Sequence, residues 1–356
     1  MNYIKRVIKN AIINDFFKGK TIIIVGSRQV GKTTILEQLA SEFKEKKILK
    51  LNADNPTETE LLKNKDFSQL DSIIGDADII FIDESQRIKE IGLITKLLVD
   101  NYKSKKQIVL TGSSSINLLE STQETLTGRK YTYHLYPISV EEFINDKDPL
   151  EANKSITDFL LFGMYPEILN IKSKKEKIRS LKELSSSYLF KDILEFQEIR
   201  NPEILYKLLK ALALQIGSQV SYTKLSNILS IDSKTVERYV DLLEKSFIIY
   251  RLPSYSKNKR REITRSKKIF FYDVGIRNAI LDNFNEFDKR SDLDHVWENF
   301  LISERIKYNN YHRIYGTQHF WRTYDGSEID LVEDREGKLF GYEIKYTENK
   351  ATEPIK

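Results

Sequence analysis

The sequence predicts an α/β fold class: a parallel-sheet domain, then a helical connector leading into a winged-helix unit, then a small α/β domain. Three observations carry this. Short apolar runs alternate with helical patterns over the first 145 residues, apolar residues recur at three- and four-residue spacing from 156 to 217, and helix-turn-helix and strand patterns fill the remainder. The expected boundaries are 1–145, 146–217, 218–285 and 286–356. A chain of 356 residues exceeds what one core organises, which agrees with several units.

The first unit is set by the runs TIIIV, KILKLN, DIIFID, QIVLTG and KYTYHLY. Their continuous apolar, β-branched character is that of parallel strands covered on both faces, with a ligand expected at their C-terminal edge. The first run leads into GSRQVGKTT, in which Gly26, Gly31, Lys32 and Thr33 match G-x-x-x-x-G-K-[ST], and a helical pattern follows at once. Such a loop wraps phosphates with backbone N–H groups, here including those of Ser27 and Thr34, at a helix N-terminus that favours negative charge. Lys32 is placed to reach the β/γ-phosphates, and the Thr33 hydroxyl to ligate Mg²⁺. ATP and Mg²⁺ are therefore the expected ligands.

The run DIIFIDES ends in Asp83 and Glu84. The first is expected to hold Mg²⁺ and the second to polarise the attacking water. QIVLTGSSS brings Thr111, Ser113 and Ser114 to a third strand end, where a hydroxyl can sense the γ-phosphate or cap the next helix. Arg129 in LTGRK has two readings, a finger toward phosphate charge in an oligomer or an ordinary salt-bridged arginine.

The middle segment reads as packed helices. SQVSYTKLSNILSIDSKTVERYVDLLEKSFIIYRL then gives helix, turn, second helix and strand, with Ser233 expected as the cap of the second helix. A basic hairpin from Ile248 to Tyr272 completes a winged helix. Residues 251–268 hold eight basic side chains against Glu262 alone, in a chain whose net charge is +5, so the positive field is local. DNA phosphates are the expected partner, through Lys257, Lys259, Arg260, Arg261, Arg265, Lys267 and Lys268. Winged helices also bind proteins, and the outer face of the second helix (Lys234, Glu237, Arg238) is not strongly basic.

At the end, a helix carrying Glu298 precedes the runs EIDLVED and KLFGYEIKY. Two antiparallel strands would set Asp330 beside Glu343 and Lys345, which share a face at a spacing of two. One reading makes Glu298, Asp330 and Glu343 metal ligands with Lys345 positioning a water; the other makes the same charges cross-strand ion pairs. Eleven residues follow Lys345, so an incomplete domain is one expectation.

The composition removes other classes. There is no cysteine, hence no disulfide, thiolate metal site or cysteine nucleophile, and four scattered histidines offer no ligand spacing. No 20-residue apolar run or signal-like N-terminus is present, so a cytoplasmic protein without a membrane span is expected.

GSRQVGKTT, IIFIDES, LTGSSS, LTGRK with YPIS and EEF, LFGMYPEIL, KDI, FFYDVGIRN, WEN and EIDLV with YEIK together resemble a prokaryotic group of AAA-type P-loop ATPases. The C-terminal half of that group joins a winged helix to a restriction-endonuclease-like domain. The resemblance implies ATP binding and hydrolysis by Gly31, Lys32, Thr33, Asp83 and Glu84, with Arg129 at the GR position.

Overall fold

A computed structural model of the chain describes residues 3–113, 118, 122, 124–188, 201–256, 267–323 and 325–346. Ser114 and the basic residues Lys257, Lys259, Arg260, Arg261 and Arg265 lie outside this set. The first unit alternates α1 (Ile8–Ile13), β1 (Thr21–Val25), α2 (Lys32–Glu42), β2 (Ile48–Asn52), α3 (Pro56–Leu62), α4 (Phe67–Ile74), β3 (Ile79–Asp83), α5 (Ile91–Tyr102), β4 (Gln107–Gly112) and β5 (Lys130–His134). The strands form one sheet in the order β2-β3-β4-β1-β5, and every pairing is parallel.

Each central strand buries both faces because alternate residues serve different cores. Ile22, Ile24, Phe81 and Val109 join the core that contains α1 and α2, while Ile23, Val25, Ile80, Ile82 and Leu110 join the core of α4 and α5. This period-two division of continuous apolar runs is what a sheet sandwiched between helices requires.

Helices α6 (Val140–Asp146), α7 (Pro149–Phe162), α8 (Pro166–Asn170), α9 (Lys174–Glu183) and α10 (Pro202–Leu214) follow. Ser139 opens α6 with a capping box: its hydroxyl accepts from Glu142 N while Glu142 accepts from Ser139 N. After β6 (Gln219–Val220) come α11 (Tyr222–Leu229), α12 (Ser233–Lys245), β7 (Ile249–Pro253) and β8 (Lys267–Phe271). The cap of α12 is Asp232 rather than Ser233: its carboxylate accepts from Thr235 N at 2.8 Å and from the Thr235 hydroxyl at 2.6 Å, and Ser233 already stands within the first turn. Val236, Tyr239, Val240 and Leu243 fill the buried face of α12, as the periodicity predicts, and Lys234, Glu237 and Arg238 are exposed.

Helices α13 (Val274–Leu281) and α14 (Leu293–Tyr311) lead to an antiparallel sheet of β9 (Thr317–Arg322), β10 (Glu328–Arg335) and β11 (Lys338–Tyr342), in the order β11-β10-β9. Among the described residues this sheet has no separate core. Tyr250, Leu252 and Phe270 of the preceding hairpin share one apolar cluster with Ile302, Phe320 and Leu331, and Tyr255 N donates to Phe320 O at 2.7 Å. Among the described residues no helix is long and apolar enough to cross a membrane.

Two sequence segments without an assigned role lock together. Gly163 has φ +70°, and a Cβ there would fall 2.0 Å from Asp273 Oδ1. The buried Asp273 carboxylate accepts from Met164 N at 2.7 Å and from Ile276 N at 3.1 Å. Burial pushes this carboxyl above its ordinary range against those donated bonds. LFGMYP and YDVGIRN are thus two halves of one joint.

Candidate functional site

The phosphate loop leaves β1 at its C-terminal end and re-enters the fold as α2. Gly26 has no alternative residue: a Cβ would lie 2.1 Å from the Leu135 carbonyl oxygen of the neighbouring strand end. Gly31 stands at the helix start with φ +98°, a conformation that favours glycine. Lys32 is buried and donates to the Gly26 and Ser27 carbonyls, each at 3.1 Å, with its Nζ 3.9 Å from Glu84. Its ammonium therefore lies over the loop that would hold phosphate.

Parallel pairing brings the ends of β3 and β4 to the same edge. The Thr33 hydroxyl donates to Asp83 Oδ2 at 2.7 Å, and the Thr111 hydroxyl donates to Asp83 Oδ1. Glu84 takes the left-handed conformation, φ +50°, which turns the chain out of the strand. Its backbone N–H donates to Asp83 Oδ1 at 3.0 Å and its carboxylate accepts from Gln86 Nε2 at 2.6 Å. Gln86 also donates to Ser113 Oγ at 3.0 Å, and its own buried Oε1 has no partner among the described residues. A hydroxyl and a carboxylate 2.7 Å apart are hard oxygen donors of the kind Mg²⁺ takes when it keeps several waters and a phosphate. The donor set fits that ion.

Three contributors escape a sequence-only reading. Gln86 is one: two residues beyond Glu84, it joins Glu84 to Ser113. Tyr165 is the second; its buried hydroxyl is 2.8 Å from Ser27 Oγ, and burial raises its pKa. The third is Arg6, wholly buried, which donates to Val30 O in the loop at 2.8 Å, to Glu142 at 3.0 Å and to the Tyr311 hydroxyl at 3.0 Å. Next to the loop, Tyr3, Ile4, Arg6, Thr34, Ile138 and Pro166 line a cleft of about 120 Å³. The run into Gly-Lys-Thr and the acids ending DIIFIDES announce this site locally, whereas Gln86, Tyr165 and Arg6 join it only through the fold.

Arg129 lies elsewhere. Its backbone carbonyl accepts from Thr21 N at 2.9 Å, at the N-terminal end of β1, and its side chain pairs with Asp100 at 2.5 Å. This is the sheet edge opposite the phosphate loop, so Arg129 cannot act as a finger in the site of its own chain.

In the tail, Glu298, Asp330, Glu343 and Lys345 do line one cavity, of about 460 Å³, together with Lys268, His295, Arg322 and Glu328. Strand pairing accounts for it: Leu331 faces Tyr342, and Ile344 N donates to Asp330 Oδ2 at 2.7 Å. They do not converge as metal ligands, however. Among the described residues no group of three His, Asp or Glu side chains is arranged to hold a metal ion. Glu298 is bound to Lys268 at 2.9 Å, and Glu343 to Lys345 at 2.7 Å, with the Lys345 side chain 73% exposed. Asp330 is pushed up by burial.

The phosphate-contact expectation for the basic hairpin fails at Lys268. Lys268 is buried, bonded to Glu298 and Glu328, so it presents no charge to a phosphate; burial alone would lower its pKa, yet the two carboxylates hold it above the ordinary range. Arg251 is held by Asp241 and Glu244. Lys267 stays partly exposed.

Comparison with known proteins matches three stretches of the chain. Residues 18–144 match the family described as "AAA domain". Residues 153–286 and 293–356 match two families described as domains of unknown function, DUF8612 and DUF4143. An uncharacterized protein of Mycobacterium tuberculosis is 24% identical over 333 residues, covering 93% of this chain and 71% of its own length. One from Haemophilus influenzae is 26% identical over 295 residues, covering 78% and 72%. Among solved structures, the RuvB Holliday junction branch migration motor of Thermotoga maritima is similar at 16% identity and TM-score 0.32, covering 69% of this chain and 87% of that one. Cdc6p from Pyrobaculum aerophilum is similar at 12% identity and TM-score 0.30, covering 79% and 95%. Loop, strand-end acids, parallel sheet and family match agree on one conclusion: residues 18–144 form an AAA-type P-loop domain, an ATPase-like unit for binding nucleotide.

Proposed function

We propose that the chain is a Mg²⁺-dependent ATPase that binds DNA through a winged helix formed by residues 218–285 and carries a nuclease-like tail that does not cleave in the folded state described above. The observation that carries the ATPase reading is the meeting of Thr33, Asp83 and Glu84 at one strand edge beneath the glycine loop. Bound Mg²⁺ would neutralise charge developing on the transferred phosphoryl group. Loop N–H groups and the start of α2 would hold the phosphates, and Lys32 would exchange two carbonyl partners for phosphate oxygens. Glu84, steadied by Gln86, would orient water and accept its proton, and Ser113 on the same glutamine would report the occupancy of the site. The N-terminal cleft beside Thr34, with the Tyr3 ring in its wall, suits the nucleotide base.

DNA binding rests on the order α11, α12, β7, β8 and on the basic run between the last two strands. A second reading, a nucleotide switch whose winged helix and tail bind protein, is favoured by one observation: Arg251 and Lys268, two of the eight basic residues, are committed to internal carboxylates. Arg129, at the far sheet edge, could serve phosphate only in a neighbouring copy, so a finger role requires a homo-oligomer.

The test measures turnover and DNA affinity together. Lys32→Ala is expected to lose nucleotide binding, and Glu84→Gln to bind ATP while turnover falls about a hundredfold or more. Normal hydrolysis by Glu84→Gln would sink the assignment of the base. Cleavage of labelled single-stranded, duplex and branched DNA with Mg²⁺ or Mn²⁺, lost in Lys345→Ala, would overturn the non-cleaving description of the tail.

A further inference from the structure

Strand β8 carries the end of the basic run, yet it turns Lys268 away from solvent. Residues alternate across a strand, so with Lys267 on the outer face, Lys268 enters the cavity between the hairpin and the tail. Its side chain is 3% exposed, its Nζ bonds Glu298 Oε1 at 2.9 Å and also Glu328, and it lies 5.5 Å from the centre of the Phe320 ring. Glu298 comes from α14 and Glu328 from β10, so one ammonium ties three elements of two segments.

The surrounding charges are accounted for around it. Arg322 lies 3.5 Å from Glu328, His295 3.9 Å from Glu298, and Lys345 2.7 Å from Glu343, while Asp330 accepts a backbone N–H. The backbone also closes in: at Gly217, with φ +70°, a Cβ would fall 2.6 Å from Glu298 Oε2. A divalent cation entering here would compete with an ammonium already bound to the same oxygen atoms. Like charges a few ångström apart in a partly buried site oppose joint occupancy.

We infer that Lys268 is the resident cation of the tail cavity: it stands where a nuclease-like domain would hold a divalent metal, and it clamps the hairpin to the tail. The inference rests on the nuclease-like reading of residues 286–356. As folded, this carboxylate set is a closed ion-pair lock, with the ammonium in the place of a metal.

The experiment titrates Mn²⁺ into the full-length, nucleotide-free chain and counts bound ion by electron paramagnetic resonance, with Thr33→Ala present throughout so that the phosphate loop does not contribute. The Lys268-containing chain is expected to show no tail site. Lys268→Met is expected to gain one, with affinity raised about tenfold or more by removal of one unit charge. Adding Glu298→Gln to Lys268→Met should abolish it. Because Lys268→Met takes from Glu298 and Glu328 the buried cation they share, Lys268→Met/Glu328→Gln serves as the second variant, with circular dichroism confirming folding.

Mn²⁺ bound by the chain with Lys268 intact, and lost in Glu298→Gln, overturns the lock while leaving the nuclease-like reading standing. No Mn²⁺ bound by either folded Lys268 variant overturns the reading and the inference with it.

Discussion

Gly26 shows how narrow the tolerance of the phosphate loop is. With the Leu135 carbonyl 2.1 Å from where a Cβ would stand, Gly26→Ala has to displace backbone rather than a flexible side chain. A loss of about 1–3 kcal/mol in stability is expected, together with weaker nucleotide affinity, checked by chemical denaturation and nucleotide titration. Gln86 acts differently. It touches Glu84 and Ser113 but not the loop, so Gln86→Ala should lower turnover about ten- to hundredfold with nucleotide affinity nearly unchanged, the size expected when one positioning hydrogen bond is removed. An equal fall in affinity would give Gln86 a binding role instead. Gly-Lys-Thr is legible in sequence because its chemistry is local, whereas a glutamine two residues past a glutamate carries no signal until the strand ends are brought together.

At the scale of elements, acid is the informative perturbation. His134 ends β5 against Tyr136 and Phe247, and burial pushes its pKa down to about 4. A depressed folded pKa means that the neutral ring's contribution is full above about pH 6.5 and fades as pH falls toward 4. Glu333 on β10 is held at about 2: burial opposes the shift, but bonds from Arg305, Asn309 and Gln318 outweigh it. Its contribution is present above about pH 4.5 and is lost as pH falls toward 2. Thermal melts should therefore show two acid losses, and His134→Leu should flatten the upper one alone. The hairpin is tested by salt. If its described ends frame a DNA-binding wing, Lys259→Ala/Arg260→Ala/Arg261→Ala should reduce the salt slope of DNA affinity by about 2.7, three phosphate contacts at about 0.9 each. An unchanged slope would remove the hairpin from DNA binding.

Across the whole molecule, two lines of contact run from the loop to the C-terminal half. Ser27 meets Tyr165, and the adjacent Met164 is fixed by Asp273 at the start of α13. Arg6 joins Val30 to Glu142 and to Tyr311 at the end of α14. Tyr311 also accepts the Tyr136 N–H at 3.2 Å. Removing Arg6 would leave the buried Glu142 carboxylate without its cation, so Arg6→Ala should cost about 3–5 kcal/mol in denaturant unfolding. Tyr311→Phe is milder and more telling: nucleotide-dependent hydrogen-exchange protection of α14 should shrink while ATP affinity holds.

The sequence by itself determined the five strands, their parallel order of burial, the glycine-lysine-threonine loop, the paired acids after β3 and the helical faces of the middle segment. Each of these depends on residues within a few positions of one another, where periodicity and backbone conformation are readable. Tertiary structure decided what the charges do. Lys268 and Arg251 have the same composition signal as their neighbours, yet packing turns Lys268 onto the buried Glu298 and Arg251 onto the half-buried Glu244. Glu298, Asp330 and Glu343 share a cavity as their order predicts, and the partner that occupies it comes from a strand thirty residues earlier than Glu298. Arg129 stands in LTGRK just before β5, and the parallel run of β5 beside β1 places it at the wrong end of the sheet for its own site. Electrostatic roles depend on distance and burial across the fold, and these are fixed only when segments far apart in sequence pack together.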